Sequence, residues 1–76
     1  MNTSLTTPIR VFDVSQVDPG DLVEARRGGK MHHRGPAEEA VPALNVLWIF
    51  EQETGLRKLI EAGEYEIWAR KRADAT

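Results

Sequence analysis

The chain contains no cysteine, which excludes disulfide staples, thiolate catalysis and cysteine-ligated metal centres together. Aromatic residues are few, at 7 %. The longest wholly apolar run is Val46-Leu47-Trp48-Ile49-Phe50, far short of the roughly 20 residues that carry a helix across a bilayer. Met1-Asn2-Thr3-Ser4 has neither the basic nor the apolar region that opens a signal peptide. Repeats and low-complexity stretches are also missing. These absences set the expectation of a soluble, cytoplasmic, single domain over residues 1–76, with residues 1–7 and 71–76 as frayed tails and no membrane contact. A chain of this size buries only roughly 60 % of the surface its unfolded form exposes. Its stability is therefore marginal unless a partner or a second copy adds to it.

A strong excess of one charge is missing as well. The formal net charge is −2 and the pI is near 5.6, which argues against a nucleic-acid binder judged on bulk charge. The distribution is less even. Arg26, Arg27, Lys30 and Arg34 share one short stretch free of acidic residues, and Arg70, Lys71 and Arg72 form a second cluster. The acidic residues are dispersed elsewhere.

What is present reads as strands and turns. Ile9 to Val14 has strand character, with Ile9 and Val11 on one face and Phe12 and Val14 on the other. Asp18-Pro19-Gly20-Asp21 is a turn in which Pro19 presets φ and Gly20 tolerates the positive φ of a type II turn. A short strand from Leu22 to Arg26 follows. Residues 27–42 read as one long loop punctuated by Gly28-Gly29 and Gly35-Pro36, with room for a helical turn from Pro36 to Ala40. Ala43 to Glu51 is the main strand, with Leu44, Val46, Trp48 and Phe50 on one face and Leu47 and Ile49 on the other. Both faces are apolar, so both require cover. Glu53-Thr54-Gly55 supplies a hairpin loop into Leu56–Ile60. A helix over 56–62 stays open as an alternative, with Thr54 as its cap and Gly63 after its end. Tyr65 to Ala69 alternates cleanly as a last strand.

The fold expected from this pattern is all-β or β-rich α+β. It is a four- to five-stranded antiparallel meander curled into an SH3-like barrel, with one long loop.

Candidate chemistry is sparse. His32 and His33 are adjacent, so on an extended segment they point apart, and no patterned carboxylate completes a metal site with them. Ser4 and Ser15 lack the glycine-flanked elbow of a nucleophile. Neither a cofactor motif nor a small-molecule site is evident, and no enzymatic activity is expected. The most function-like segment is the basic loop carrying Arg26, Arg27, Lys30, His32, His33 and Arg34, whose glycines would let backbone amides approach a phosphate or an acidic partner. Among the aromatics, Trp48 and Phe50 are expected to pack beneath the sheet with Phe12. Trp48, Tyr65 and Trp68 are the candidate partner-binding anchors.

Leu44 through Arg70, with the Gly35-Pro36-Ala37-Glu38-Glu39 entry and the Gly63-Glu64-Tyr65-Glu66-Ile67 strand opening, resembles small accessory proteins encoded by phages of actinobacteria. The resemblance implies a protein that acts by binding a host or phage component, in the host cytoplasm, and carries no functional residues with it. The function expected is thus non-enzymatic binding of a macromolecular protein partner, with homo-oligomerisation in view. One alternative is a nucleic-acid-binding regulator using residues 26–34 and 70–72. Another is a structural component of an assembly.

Overall fold

The computed structural model describes residues 7–72. Six strands form one open sheet in the order β1-β6-β2-β3-β4-β5. They are β1 (Ile9–Val11), β2 (Leu22–Arg27), β3 (Lys30–Val41), β4 (Val46–Phe50), β5 (Arg57–Glu61) and β6 (Glu66–Arg70), all paired antiparallel. The all-β expectation holds at that level. Among the described residues the count is six rather than four to five, the sheet does not close into a barrel, and β6 inserts between β1 and β2, so the order is not a meander.

The reading of residues 27–42 as a loop with a helical turn is overturned. Gly28 and Gly29 take φ of 62° and 77°, the two positive values of a two-residue type I′ hairpin loop. The following twelve residues are β3. Pro36 lies inside that strand opposite Leu22. Its missing N–H is bypassed: Ala37 donates to the Asp21 carbonyl at 2.8 Å and accepts from the Gly20 N–H at 2.9 Å. The ladder to β4 then shifts register between Ala37 and Glu39, the kind of irregularity at which a sheet tolerates proline.

The core is aliphatic. Val14, Val23, Leu47, Ile49 and Ile60 are fully buried, with Ile67 and Val11 nearly so. Ala25, Ala37 and Ala69 fill the narrow places between them. This corrects the expectation for the aromatics. Leu47 and Ile49 form the buried face of β4, while Trp48 is half-buried and Phe50 exposed on the other side. Phe12 is 73 % exposed, because β1 stops at Val11. The Asp13 side chain then accepts from the Ser15 N–H, and Gln16 accepts from the backbone N–H groups of Phe12 and Asp13. This capping box turns Val14–Gln16 into a 3₁₀ turn. The hairpin after β4 is present, with Gly55 at φ 74° and the Glu51 N–H donating to the Leu56 carbonyl at 2.9 Å. Residues 57–61 are strand, not helix. The Asp18–Asp21 turn is also as expected, closed by the Asp21 N–H on the Asp18 carbonyl at 3.1 Å with Gly20 at φ 93°.

The frayed ends assigned to 1–7 and 71–76 fall mostly outside the described residues, and of the remainder Lys71 and Arg72 are hydrogen-bonded. Arg70 belongs to β6. Lys71 Nζ donates to Asp21 at 2.6 Å and Asp18 at 3.1 Å, and the Arg72 N–H donates to Asp21 at 3.2 Å. Asp21 is almost fully buried. Burial by itself would raise its carboxyl. The Lys71 hydrogen bond, helped by the Asp18 and Arg72 N–H groups and the Lys71 charge, outweighs burial and holds it below the ordinary Asp value. The same bond raises Lys71.

Asp21→Asn is expected to cost about 2 kcal/mol at neutral pH, the scale of hydrogen bonds to a charged group. Because the folded carboxyl lies below its unfolded value of about 3.9, this contribution is complete above that pH and fades as the pH falls through the lower folded value. Urea melts of the two proteins should differ at pH 7 and draw together as the pH falls below the unfolded value. A gap that does not narrow would contradict the assignment.

Candidate binding surface

Alternation in β2 sends Val23 and Ala25 into the core, so Leu22, Glu24 and Arg26 lie on the opposite face of the sheet, where Leu22 and Glu24 are themselves covered and Arg26 is partly exposed. Glu24 lies opposite Trp68 on one side and Arg34 on the other, and Trp68 lies opposite Arg10. One cross-strand row therefore reads Arg10, Trp68, Glu24, Arg34 over four strands. Glu24 is 4 % exposed. It takes Arg26 at 2.7 Å, Arg34 at 3.6 Å and Arg70 at 3.9 Å. A single buried carboxylate with three guanidiniums leaves the locality positive, and it replaces water around a group that would be costly to bury unpaired. Arg10 joins the face through Glu66 at 3.5 Å, and Glu66 also accepts from Trp68 Nε1 at 3.0 Å.

The two basic clusters of the sequence thus meet only in part. Arg26, Arg34 and Arg70 converge on Glu24. Arg27 and Lys30 instead flank the β2–β3 turn, with Arg27 against the Tyr65 ring at 4.8 Å and Glu64 at 3.5 Å. Lys71 gives its ammonium to Asp21, whereas Arg72 donates there through its backbone N–H. The segment from Arg26 to Arg34 is a hairpin rather than a loop, and Gly28 and Gly29 form its turn.

His33 belongs to a different place, the rim of the core. Its Nδ1 lies 2.5 Å from a Glu51 carboxylate oxygen, and its Nε2 lies 3.3 Å from the Tyr65 hydroxyl. The pair borders a shallow cleft of about 230 Å³ with Met31, Arg34 and Gln52. His32 is exposed at the cleft wall, its ring centroid 6.0 Å from that of Tyr65. Among the described residues no group of three or more His, Asp or Glu side chains is arranged to hold a metal ion. The Glu51–His33–Tyr65 chain ties β3 to the end of β4 and the start of β6.

The outer face of β4 and β5 has the opposite character from the arginine face. Register pairs Val46 with Glu61, Trp48 with Leu59 and Phe50 with Arg57, while Trp48 also faces Glu39 of β3 and Val46 faces Val41. Phe50 and Leu59 are each 39 % exposed. The Arg57 guanidinium lies 4.1 Å over the Trp48 ring and donates through Nε to Glu38 at 2.6 Å. Val46, Trp48, Phe50 and Leu59 thus form an apolar strip with Glu38, Arg57 and Glu61 at its rim.

Of the three aromatic anchors expected from the sequence, Trp48 lies on this strip, Trp68 lies on the arginine face, and Tyr65 lies at the His33 corner. In the sheet β2 and β3 stand between Trp68 and Trp48. Sequence reasoning missed Glu24, Arg10, Arg57 and Leu59. The alternation of Arg57, Leu59 and Glu61 is the one local signal that would have found part of this set. Among the described residues no helix is long and apolar enough to cross a membrane. No protein family, curated protein or solved structure matches this chain.

Proposed function

We propose that this chain is a non-enzymatic binding domain for a protein partner, engaged through the outer face of β4 and β5 around Trp48 and Leu59. The observation that carries this reading is the contiguous row of Val46, Trp48, Phe50 and Leu59 on the face turned away from the core. A small domain gains nothing in its own core from apolar side chains placed there, whereas a contact surface does. On the resemblance to phage accessory proteins, the partner is a host or phage component.

A second reading has its own support. Arg10, Arg26, Arg34 and Arg70 surround Trp68 and Glu24, a basic face with an aromatic platform suited to a nucleic-acid backbone.

One two-armed experiment weighs them. A photo-crosslinking amino acid at position 59 should capture a protein in a lysate of the source organism, and Leu59→Lys should prevent binding of that protein once purified. Absence of any crosslinked protein overturns the first reading. A gel shift with single-stranded RNA and duplex DNA at low salt should show nothing on the first reading, and binding that falls steeply with salt on the second.

A further inference from the structure

We propose that the free edge of β5 is a self-recognition edge, on which a second copy of this chain adds its own β5 antiparallel about a twofold axis through Leu59. This deepens the protein-partner reading, on which it rests, by naming the occupant.

β5 is the last strand in the sheet order, and among the described residues no strand pairs with its outer side. Hydrogen bonds at both ends of the β4–β5 ladder fix which residues turn their backbone outward. The Glu51 N–H donates to the Leu56 carbonyl, and the Ala62 N–H donates to the Asn45 carbonyl. Alternation then directs the backbone groups of residues 56, 58, 60 and 62 towards β4 and those of Arg57, Leu59 and Glu61 towards the free edge. The side chains of Arg57, Leu59 and Glu61 lie on the exposed outer face, opposite to buried Ile60.

The order Arg57-Lys58-Leu59-Ile60-Glu61 is complementary to itself when reversed. With Leu59 on the axis, Leu59 of one copy faces Leu59 of the other, and each Arg57 faces the opposite Glu61. All three positions are hydrogen-bonding pairs, giving about six bonds between the chains. Because Trp48 already lies opposite Leu59 within each copy, the apolar row runs Trp48, Leu59, Leu59, Trp48 across the junction. That makes the strip continuous across the junction and brings the flanks of the two Leu59 side chains together, and it makes an isologous contact that closes after two copies.

Arg57 can serve both neighbours, since Nε alone is used by Glu38 and a guanidinium carries five N–H groups. Lys58 opposes the arrangement. In this register it faces Ile60 of the other copy, and the two Lys58 chains are diagonal neighbours about 7–8 Å apart rather than directly opposed. A slip by one residue would reverse the faces, and a slip by two would set Leu59 against a charge.

The test is sedimentation equilibrium of the whole chain over a range of concentrations, with circular dichroism to establish that each variant is folded. The wild type should dimerise. R57E sets two acidic side chains opposite each other and E61R two basic ones, so each variant alone should associate at least about tenfold more weakly. Mixing R57E with E61R should restore association as a heterodimer, because both pairings of position 57 with position 61 are then of opposite charge. The double variant R57E/E61R should restore the homodimer. A wild type that stays monomeric at every concentration, single variants that dimerise like the wild type, or a mixture that fails to associate would each overturn the proposal. A monomeric chain whose position 59 still crosslinks another protein would sink self-pairing while leaving the protein-partner reading intact.

Discussion

Gly35→Ala is expected to abolish the folded state. A Cβ at position 35 would lie 1.8 Å from the Phe50 carbonyl oxygen, 2.7 Å from the Phe50 carbonyl carbon and 3.2 Å from Glu51 Cα. All three atoms are backbone, so no rotamer change relieves the clash. A carbon and a carbonyl oxygen approach to about 3.3 Å at closest, which requires β3 and the end of β4 to separate by about 1.5 Å. Those segments are held together by the Gln52 N–H on the Arg34 carbonyl at 2.8 Å and by Glu51 on His33. The cost should exceed about 4 kcal/mol, a value reserved for disruptions of this kind. A domain of this size has a total stability of only about 4–11 kcal/mol. Thermal melts followed by circular dichroism should show an unfolded chain at 25 °C, or a midpoint lowered by at least about 16 °C. Gly63→Ala is the control, since nothing lies within 4 Å of a Cβ there. A Gly35→Ala protein that melts within a few degrees of the wild type would show that the close approach is absent in solution.

The second large effect separates the two faces of β4. Leu47 is fully buried, opposite Ile60 and Ala40, so Leu47→Ala should cost about 2–5 kcal/mol through lost transfer energy and the cavity left behind. Trp48 is next in the chain and larger, but it is half in water. Its truncation removes the Arg57 stack and some strip area, at about 1 kcal/mol. Equilibrium urea unfolding of both variants should therefore rank the leucine well above the tryptophan. The reverse order would mean that the core lies on the other face. If Trp48→Ala folds normally yet loses partner binding, the residue belongs to the contact surface.

Elements set by local turn chemistry are legible in the residues themselves. Pro19-Gly20 and Gly55 each mark a place where the chain needs a preset or positive φ, and the turns stand there. The Tyr65–Ala69 alternation likewise marks β6, with Ile67 and Ala69 inside. Residues 27–42 mislead because glycine and proline serve several ends. Gly28-Gly29 is a hairpin loop that needs a strand on each side to be recognised. Gly35 is a glycine because Phe50, fifteen positions later, crosses it. Pro36 survives in a strand because Gly20 and Asp21 bond to its neighbour. No window of sequence around residue 35 contains those partners.

The candidate surface divides in the same way. The charges of Arg26, Arg34 and Arg70 are visible in the sequence, but their convergence is not. They meet because β6 pairs with β2, which brings residue 70 beside residues 22 and 24. Neither cluster alone discloses the buried Glu24 that both surround.

For this protein, then, the order of the residues determined the β class, the positions of its tight turns and the presence of two apolar faces on Val46–Phe50. Those follow from backbone preferences and period-two alternation, which act over a few residues. Tertiary structure alone decided which of the two faces became core. Leu47 and Ile49 could be enclosed by Ile60, Val14 and Ala37, whereas Trp48 met Leu59, Glu39 and Arg57 on the open outer face. Burial is a property of what lies opposite, and what lies opposite is set by pairings between distant strands.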